Sequence, residues 1–484
     1  MHTESQPTHP PPRPPLPTYR SEREIDNLAR EYAFEPLQVV GTIPNELRNG
    51  TMVRNGPGLF ERGGVRLAHL FDGDGAVLAT RMVNGEATGT ARFVETAARA
   101  KEQATGRWLF GGYKQSFQKP LMEMLFGRNK NPANTGVLHW QRRLFALCEA
   151  GAPIELDPDK LSTLGDTDLE GVVLHSVNPH PKTIASRRAT YSIGMQHGRT
   201  HKVDVYEFPF VGKARRIATL DAHTVGMVHD FAVTGRHVVL FLPPMHFHLS
   251  RIFFQKKGIV DAIQWDASKG TEVVIIPLDD PNRVTRFVTD AFYMEHVANA
   301  YEDGEEIVVE YTRYRDLETF ENMVEPLIRG RANGAVNMSV SRMRINPHAR
   351  RAANEILFEE GCELPHTSSL RRGKLHRFTY LAAQPTKDDT HALFSATLKI
   401  DQKLQRIERF SFGEGTASGE PIFIPRVNAA SEDDGYLLVL VYDPRRHISY
   451  EAILDAHRLS EGPVATIVHP EAIPPRFHGT WVPR

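Results

Sequence analysis

The sequence predicts an all-β protein that closes on itself as one propeller or barrel. Short β-branched or aromatic runs, such as 203–208, 238–242 and 436–442, alternate with Gly, Asn, Asp and Pro turns through most of the chain. Long segments with the 3.6-residue period of a helix are scarce, and no change in composition divides the 484 residues. Closed β architectures can be this long as single domains. No repeat of fixed length is visible, so this pattern does not predict a blade number.

The composition narrows the range of partners and compartments. The 58 basic and 59 acidic residues give a net charge of −1, which does not indicate a nucleic-acid partner. Cys148 and Cys362 are the two cysteines, which are too few for a disulfide framework and favour a reducing, cytoplasmic setting. Because no run of about 18 apolar residues occurs, we expect no membrane-spanning helix.

The N-terminal segment differs from the rest of the chain. Residues 1–26 include the run PTHPPPRPPLP and lack the apolar stretch of a signal peptide. We predict a disordered, proline-rich leader over 1–26, with docking through a P-x-x-P motif as the alternative. The propeller domain is then expected over 27–484, with its first clear strand at 37–41.

Three further segments carry local expectations. RNGPGLF at 54–60 is expected to form a glycine turn. Phe117–Phe126 and Met245–Phe254 mix large apolar side chains with nearby cations such as Lys114. These two segments either pack into the core or form an amphipathic patch that touches a membrane surface, with the cations on the headgroup side.

The apolar C-terminal stretch predicts a buried histidine. Chain ends are usually frayed and polar, but here Phe477, Trp481 and Val482 surround His478. Three more histidines lie in apolar or turn-bounded settings far upstream, namely His180, His229 and His296. Since no two of the four have helical spacing, the ligands would come from separate strands. We predict that these four imidazoles converge on one metal ion.

Three glutamates are candidate partners for these histidines. A metal-bound imidazole usually donates its second N–H to a carboxylate, which fixes its tautomer. Glu149, Glu363 and Glu420 each lie in an apolar, strand-like context where an unpaired charge would be costly. Each alone could be a turn or surface acid, but the set indicates an outer layer around a metal.

The chain resembles the carotenoid cleavage oxygenases from about Thr42 to its end. The motifs that carry the resemblance occur in the family's order: RNGPGLF, HLFDGDGAV, NTGVL, LFALCEAGAPIELDP, NPHPK, VHDFAVT, HVANAY, CELP, GEPIFIPR and FHGTW. The resemblance implies a single seven-bladed β-propeller, with Fe(II) on its axis and loops and short helices forming a cap. By motif, the four iron ligands fall on His180, His229, His296 and His478, and the three outer acids fall on Glu149, Glu363 and Glu420.

The resemblance also implies a reaction. The chain is most similar to the apocarotenoid-cleaving branch, which uses O2 to cut a C=C bond of an apolar polyene and gives retinal-like aldehydes. Stilbene cleavage is the first alternative, a retinoid isomerase is more remote, and a non-catalytic propeller scaffold is the alternative outside the enzymes. A zinc hydrolase or serine hydrolase would need H-E-x-x-H or G-x-S-x-G, and the chain has neither.

Some residues depart from the family's pattern. Glu295 stands where an aromatic residue often precedes the third ligand, and Arg476 stands where Gly often lies two residues before the last one. The stilbene-cleaving branch uses a Lys and a Tyr to hold a phenol. Those positions are assigned here to Cys148 and Phe93, which predicts an apolar wall and a polyene substrate.

Overall fold

The computed structural model describes residues 25–114, 130–196, 200–222, 227–247, 258–329, 338–359, 361–386 and 394–484. Within these ranges the chain forms a seven-bladed β-propeller, and the strands of each blade pair in antiparallel fashion. This confirms both the closed β architecture and the blade number that the resemblance implies.

The blades are numbered by their position along the chain. Blade 1 contains Tyr32–Pro36 (β1), Asn49–Leu59 (β3), Asp74–Val83 (β6), Glu86–Phe93 (β7) and His478–Pro483 (β35). Blade 2 contains Gly136–Trp140 (β8), Arg143–Leu147 (β9), Ile154–Leu156 (β10) and Thr163–Asp166 (β11). Blade 3 contains Lys182–Ile184 (β12), Ala189–Gln196 (β13), His201–Pro209 (β14) and Arg215–Ala222 (β15). Blade 4 contains Ala232–Val233 (β16), His237–Leu242 (β17), Thr271–Pro277 (β20) and Thr285–Thr289 (β21).

The remaining blades follow the same plan. Blade 5 contains Tyr293–Asp303 (β22), Glu306–Tyr314 (β23), Met338–Asn346 (β24) and Arg351–Phe358 (β25). Blade 6 contains Cys362–His366 (β26), Phe378–Ala383 (β27), Ala396–Asp401 (β28) and Arg406–Ser411 (β29). Blade 7 contains Gln38–Gly41 (β2), Ala417–Ser418 (β30), Ile422–Pro425 (β31), Gly435–Asp443 (β32), Ile448–Asp455 (β33) and Pro463–Val468 (β34).

Small elements connect and cover the blades. Two short hairpins pair Glu61–Arg62 (β4) with Val65–Arg66 (β5), and Met245–Phe247 (β18) with Ile263–Trp265 (β19). The α-helices of the described residues are Ala97–Thr105 (α1) and Leu317–Val324 (α2). Short 3-10 helices cover Asn45–Leu47, Leu70–Asp72, Ala185–Arg187, Val260–Ala262, Ala267–Lys269, Glu325–Arg329, Ser369–Arg371 and Ala456–Glu461.

Strand β17 shows why the sequence has short continuous apolar runs. Side chains alternate between the two faces of a strand. Val238 and Leu240 pack against blade 3, in one cluster with Tyr191. Val239 and Phe241 point the other way, toward blade 5. Because neighbouring blades cover both faces of the sheet, residues 238–242 of this strand are all apolar.

The chain closes the ring at both ends. The C-terminal strand β35 pairs with β3, and this register places His478 opposite Asn55 and Trp481 opposite Met52. Near the N-terminus, β2 pairs with β34 in blade 7, with Gln38 opposite Val468. The C-terminal stretch is therefore held inside the fold, as its apolar composition predicts.

The prediction of a glycine turn at 54–60 is wrong. Residues 54–59 lie inside strand β3, and the glycines serve close approach rather than a turn. A Cβ atom on Gly56 would lie 2.4 Å from the carbonyl oxygen of Pro475. Only glycine fits where the C-terminal segment crosses this strand.

The described residues do not test the leader or most of the membrane segments. Ile25, the first described residue, is buried in a cluster with Phe60 and Leu70, and the leader over 1–26 stays a prediction. Phe117–Phe126 lies outside the described residues. Of Met245–Phe254, only the first three residues are described; they form β18, in which Met245 is fully buried.

Two observations bear on membrane contact. Lys114 forms ion pairs with Asp261 and Glu325, each at 3.1 Å, so its charge is already partnered within the protein. Across the described ranges, no helix combines the length and apolar character needed to cross a bilayer.

Candidate metal centre

The four predicted histidines lie in, or just before, the axis-facing edge strands of four blades. His180 and His229 lie just before β12 and β16. His296 lies within β22, and His478 is the first residue of β35. Each strand is the first or last in its sheet, which is the edge that meets the propeller axis. Residues far apart in sequence therefore reach one point.

The ring nitrogens meet at ligand-like distances. His180 Nε2 is 2.9 Å from His229 Nε2, which is 3.3 Å from His296 Nε2. His296 Nε2 is in turn 3.2 Å from His478 Nε2. One nitrogen from each ring lies within 4.8 Å of those of the other three. Two ligand atoms about 2.1 Å from one ion and about 90° apart are about 3 Å from each other, so this donor set fits a single metal ion.

The three predicted glutamates are paired with three of the histidines. Glu149 Oε1 lies 2.6 Å from Nδ1 of His229. Glu363 Oε2 lies 2.7 Å from Nδ1 of His296. Glu420 Oε1 lies 3.3 Å from Nδ1 of His478. Each carboxylate accepts the Nδ1–H proton, which leaves the Nε2 lone pair free for a metal ion.

These glutamates come from the blades that supply no histidine. Glu149 follows β9 of blade 2, Glu363 lies in β26 of blade 6, and Glu420 lies between β30 and β31 of blade 7. Each blade therefore contributes one residue to the two layers of the site. The seven blades thus supply the four histidines and the three glutamates of the site.

His180 is held by an asparagine that the sequence analysis did not single out. The backbone N–H of His180 donates to Asn178 Oδ1 at 2.9 Å. The Asn178 amide donates in turn to the backbone carbonyls of Val228 and His229, at 3.1 and 2.7 Å. Asn178 thus fixes the spacing between the loops that carry two of the histidines. Its place in the NPH motif was the signal that could have identified it.

Asp230 and Tyr314 were also missed. Asp230 Oδ2 accepts the backbone N–H of Val297 at 2.7 Å and pairs with Lys182 at 2.9 Å, which joins blades 3, 4 and 5. The Tyr314 hydroxyl donates to the second oxygen of Glu363 at 2.9 Å. A lone Asp or Tyr in a strand gives no sequence signal for such a role without its neighbours.

The electrostatics of the site favour a bound cation. Burial disfavours charge on Glu420, but neighbouring His478 outweighs burial and lowers the pKa of Glu420 to about 2. The pKa values of Glu149 and Glu363 are likewise lowered, because His229 and His296 outweigh burial. Ionised carboxylates beside the imidazoles favour positive charge at the centre, whether it is carried by a proton on a ring or by a metal ion.

Two cavities meet at the histidines. The larger, of about 370 Å³, has mainly apolar walls and reaches His229, His296 and His478. Its apolar lining includes Phe71, Met227, Ile259, Phe320, Met323 and Leu327. A smaller cavity of about 140 Å³ lies on the side of His180 and is lined by charged residues including Lys182 and Asp230. The centre separates an apolar compartment from a polar one.

The residues that depart from the family's pattern have distinct surroundings. Cys148 and Glu295 line the large cavity. Phe93 is absent from the described lining and packs instead in a cluster with Leu28 and Tyr32. The argument from Phe93 to an apolar substrate wall is therefore wrong, since this ring belongs to the core of blade 1.

Arg476 lines the large cavity, but its guanidinium forms hydrogen bonds to backbone carbonyl oxygens. Its guanidinium donates to the carbonyl oxygens of Gly56 at 3.2 Å and Pro57 at 2.6 Å. Burial lowers the pKa of Arg476 to about 9. This arginine therefore fixes the C-terminal segment against strand β3.

Neutralising the outer acids is expected to weaken the metal centre. Glu363→Gln and Glu420→Gln should each lower metal affinity or turnover by roughly 10–100-fold, because Gln keeps the size but loses the charge that steadies the imidazole. Metal content and kcat/KM measure the effect. Glu302→Gln is the control, because Glu302 pairs with His237 at 3.2 Å outside the site. Wild-type values in both site variants would show that these acids have no role at the centre.

Comparison with known proteins identifies the family to which the chain is similar. Residues 25–483 match the family model described as retinal pigment epithelial membrane protein. The apocarotenoid-15,15'-oxygenase of Synechocystis sp. is 29% identical over 476 residues, covering 95% of each chain. The resveratrol cleavage oxygenase 1 of Chaetomium globosum is 28% identical over 523 residues, covering 93% of this chain and 86% of the relative.

Solved structures give the same result. A variant of the Synechocystis apocarotenoid oxygenase superposes with a TM-score of 0.88 at 28% identity, covering 96% of this chain and 98% of that one. The cobalt-substituted form of that oxygenase gives a TM-score of 0.85 at 27% identity, with the same coverage. With a family model matched over almost its whole length, the chain belongs to the retinal pigment epithelial membrane protein family, the carotenoid cleavage oxygenases that its motifs indicate.

Proposed function

We propose that this protein is a non-haem Fe(II)-dependent oxygenase that cleaves a conjugated C=C bond of a carotenoid or apocarotenoid. One O2 is consumed, and each carbon of the broken double bond becomes a carbonyl, which gives two aldehyde fragments. The observation that carries the proposal is the group of four imidazole nitrogens within 4.8 Å of one another at the wall of an apolar cavity. The relatives named as carotenoid and apocarotenoid oxygenases support the same reaction.

Fe(II) is the metal we assign to His180, His229, His296 and His478. Imidazole nitrogens suit several first-row metals, and the family favours iron among them. When bound, Fe(II) would supply the redox chemistry with O2 that side chains lack. Glu149, Glu363 and Glu420 would hold three of the rings in the tautomer that presents Nε2.

The cavity residues would bind the substrate and orient it. A polyene has no proton that must be removed, so the protein has to place one double bond beside the metal and exclude water. Met227, Phe320 and Leu327 supply apolar surface for this purpose. Burial of such a substrate stabilises the complex by about 25 cal/mol per Å² of apolar area removed from water.

A phenolic stilbene is the second candidate substrate. The observation that favours it is that Tyr113 and Tyr293 line the cavity and place hydroxyl groups near its walls. Both hydroxyls already have partners, since Tyr113 donates to Glu321 at 2.5 Å and Tyr293 donates to Glu295 at 2.7 Å. A phenol would have to share or displace these bonds, which favours the polyene. A purely structural scaffold has no use for four clustered imidazoles, three of which are paired with carboxylates.

A competition assay tests this preference. The protein is reconstituted anaerobically with Fe(II) and given an apocarotenal and a resveratrol-like stilbene together under O2. We expect kcat/KM to be at least about tenfold higher for the apocarotenal, equivalent to about 1.4 kcal/mol, because burying a poorly paired hydroxyl costs about 1–3 kcal/mol. Chromatography separates the aldehyde products. Preferential formation of hydroxybenzaldehydes would favour the stilbene reaction instead.

Membrane contact belongs to the same proposal. A carotenoid-like substrate dissolves in lipid, so a cytoplasmic enzyme gains by touching the bilayer through Phe117–Phe126, with Met245–Phe254 as a second contact. Replacing Leu121, Leu125 and Phe126 by Ser should reduce pelleting with liposomes and leave activity in detergent unchanged. Equal pelleting of the triple variant and the wild type would remove this part of the proposal.

A further inference from the structure

Glu295 points toward the four histidines because strand β22 has a bulge. Neighbouring residues on a regular strand point to opposite faces, which would separate Glu295 from His296. Met294 instead pairs with Arg313 of β23 and Val297 pairs with Tyr311, so Glu295 and His296 together oppose the single residue Thr312. His296 N–H donates to Thr312 Oγ1 at 3.1 Å, which holds the bulge in place. A bulge of this kind re-aims side chains, and here it brings both toward the propeller axis.

One oxygen of the Glu295 carboxylate lies as close to one imidazole nitrogen as the imidazole nitrogens lie to one another. Glu295 Oε1 is 3.3 Å from Nε2 of His229. That nitrogen is 2.9 Å from the nitrogen of His180 and 3.3 Å from that of His296. Atoms that share one ion as neighbouring ligands are about 3 Å apart. Glu295 Oε1 therefore lies at ligand spacing from the donor nitrogen of His229, one of the four that surround the site.

The other carboxylate oxygen is anchored. The Tyr293 hydroxyl donates to Glu295 Oε2 at 2.7 Å, which fixes the plane of the carboxylate and leaves Oε1 directed at the histidines. Glu295 is 3% exposed and shares the cavity wall with Glu149 and Glu363. Glu295 and Glu363 are both buried, and ionised carboxylates in such a setting are costly unless a positive charge is near. A divalent ion beside Oε1 would supply that charge.

We propose that Glu295 binds the metal ion through Oε1, so that the centre consists of four imidazoles and one carboxylate. The inference rests on the proposed function, because it assumes an ion at the four histidines. A six-coordinate ion would then keep one position for an external ligand instead of two, and the carboxylate would cancel one of its two positive charges. Glu295 thereby distinguishes this chain from a centre built of histidines alone.

Metal affinity and the visible spectrum of bound Co(II) test the inference without reference to activity. Dissociation constants for Fe(II) and Co(II) are measured anaerobically by competition with a chelator of known affinity. We expect Glu295→Gln to raise both constants at least about tenfold, since even the loss of an outer partner has effects of that size. The Co(II) bands should shift and intensify as the coordination number falls. A crystal structure of the Co(II) form should place Oε1 about 2.0–2.2 Å from the ion.

The chain offers a matched control in Glu321. This buried carboxylate also accepts a hydrogen bond from a tyrosine, at 2.5 Å from Tyr113, but it has no contact with the four histidines among the described residues. Glu321→Gln should keep wild-type metal constants and a wild-type Co(II) spectrum. If Glu295→Gln fails to fold, Glu295→Phe, which restores an apolar wall, replaces it with the same expected loss.

Three outcomes would overturn the inference, and each can be distinguished from the others. Wild-type protein that binds one metal, with unchanged constants and spectrum in the Glu295 variant, would refute coordination by Glu295 and leave the proposed function standing. Wild-type protein that binds no metal would refute both. A change in Glu295→Gln that is matched by Glu321→Gln would also refute it, because the effect would then be general to carboxylates that accept a hydrogen bond from a tyrosine.

Discussion

Replacing any one of His180, His229, His296 or His478 by Ala is expected to abolish metal binding and turnover. Each ring supplies one nitrogen to a group whose members lie within 4.8 Å of one another, so no other ring can take its place. The loss should be at least about 100-fold in kcat, because removing an outer partner alone typically costs 10–100-fold. Iron content by elemental analysis and turnover of an apocarotenal measure the effect.

The control for this prediction is another buried histidine. His469 lies with Nδ1 at 3.3 Å from the Tyr32 hydroxyl and Nε2 at 3.4 Å from Thr80 Oγ1, away from the four-histidine group. His469→Gln keeps hydrogen-bonding capacity and should retain iron and activity. If an alanine variant at one of the four positions kept both, that histidine would not be a ligand.

The strands and the burial of the C-terminal stretch could be predicted from local sequence patterns. Runs such as 238–242 are strands because alternate residues pack against different neighbouring blades, and the sequence shows this as an unbroken apolar segment. The apolar C-terminal stretch around His478 indicated burial, and β35 closes blade 1. Blade number needed the family resemblance, since the blades share no repeat of fixed length.

Two features could not be predicted from the sequence, because one depends on strand register and the other on the close approach of two distant segments. Regular alternation along β22 would place Glu295 and His296 on opposite faces. The register shift against β23 instead turns both toward the axis. The RNGPGLF motif was expected to be a turn, because glycine is ambiguous between flexibility and close packing. Its role became clear from the segment that crosses Gly56, which is more than 400 residues away in sequence.

The second large effect is expected for Arg54, which holds the ring closed. Arg54 is 1% exposed and pairs with Glu451, which is fully buried, at 2.8 Å. Its other donors reach the carbonyl oxygens of Glu420 and Leu438, at 3.0 and 2.8 Å. Arg54 lies on β3, the strand that pairs with β35, while its partners all lie in blade 7. The side chain therefore joins the first and last blades of the propeller.

Arg54→Met is expected to lower the free energy of unfolding by about 3–5 kcal/mol, because it leaves the carboxylate of Glu451 buried without a partner. Denaturant unfolding followed by tryptophan fluorescence measures this. Arg30→Met is the control, since the pair between Arg30 and Glu35 is exposed and should contribute little. A wild-type unfolding midpoint in Arg54→Met would contradict the role in ring closure.

A double variant separates stability from function at the same position. Arg54→Met combined with Glu451→Met removes both charges, and replacing a whole buried pair by apolar side chains is often neutral or stabilising. We therefore expect the double variant to recover much of the stability lost by Arg54→Met. It would still lack the hydrogen bond to the Glu420 carbonyl oxygen, and Glu420 is the acid beside His478. Reduced metal affinity in a protein of restored stability would show that the closure of the ring also positions the metal centre.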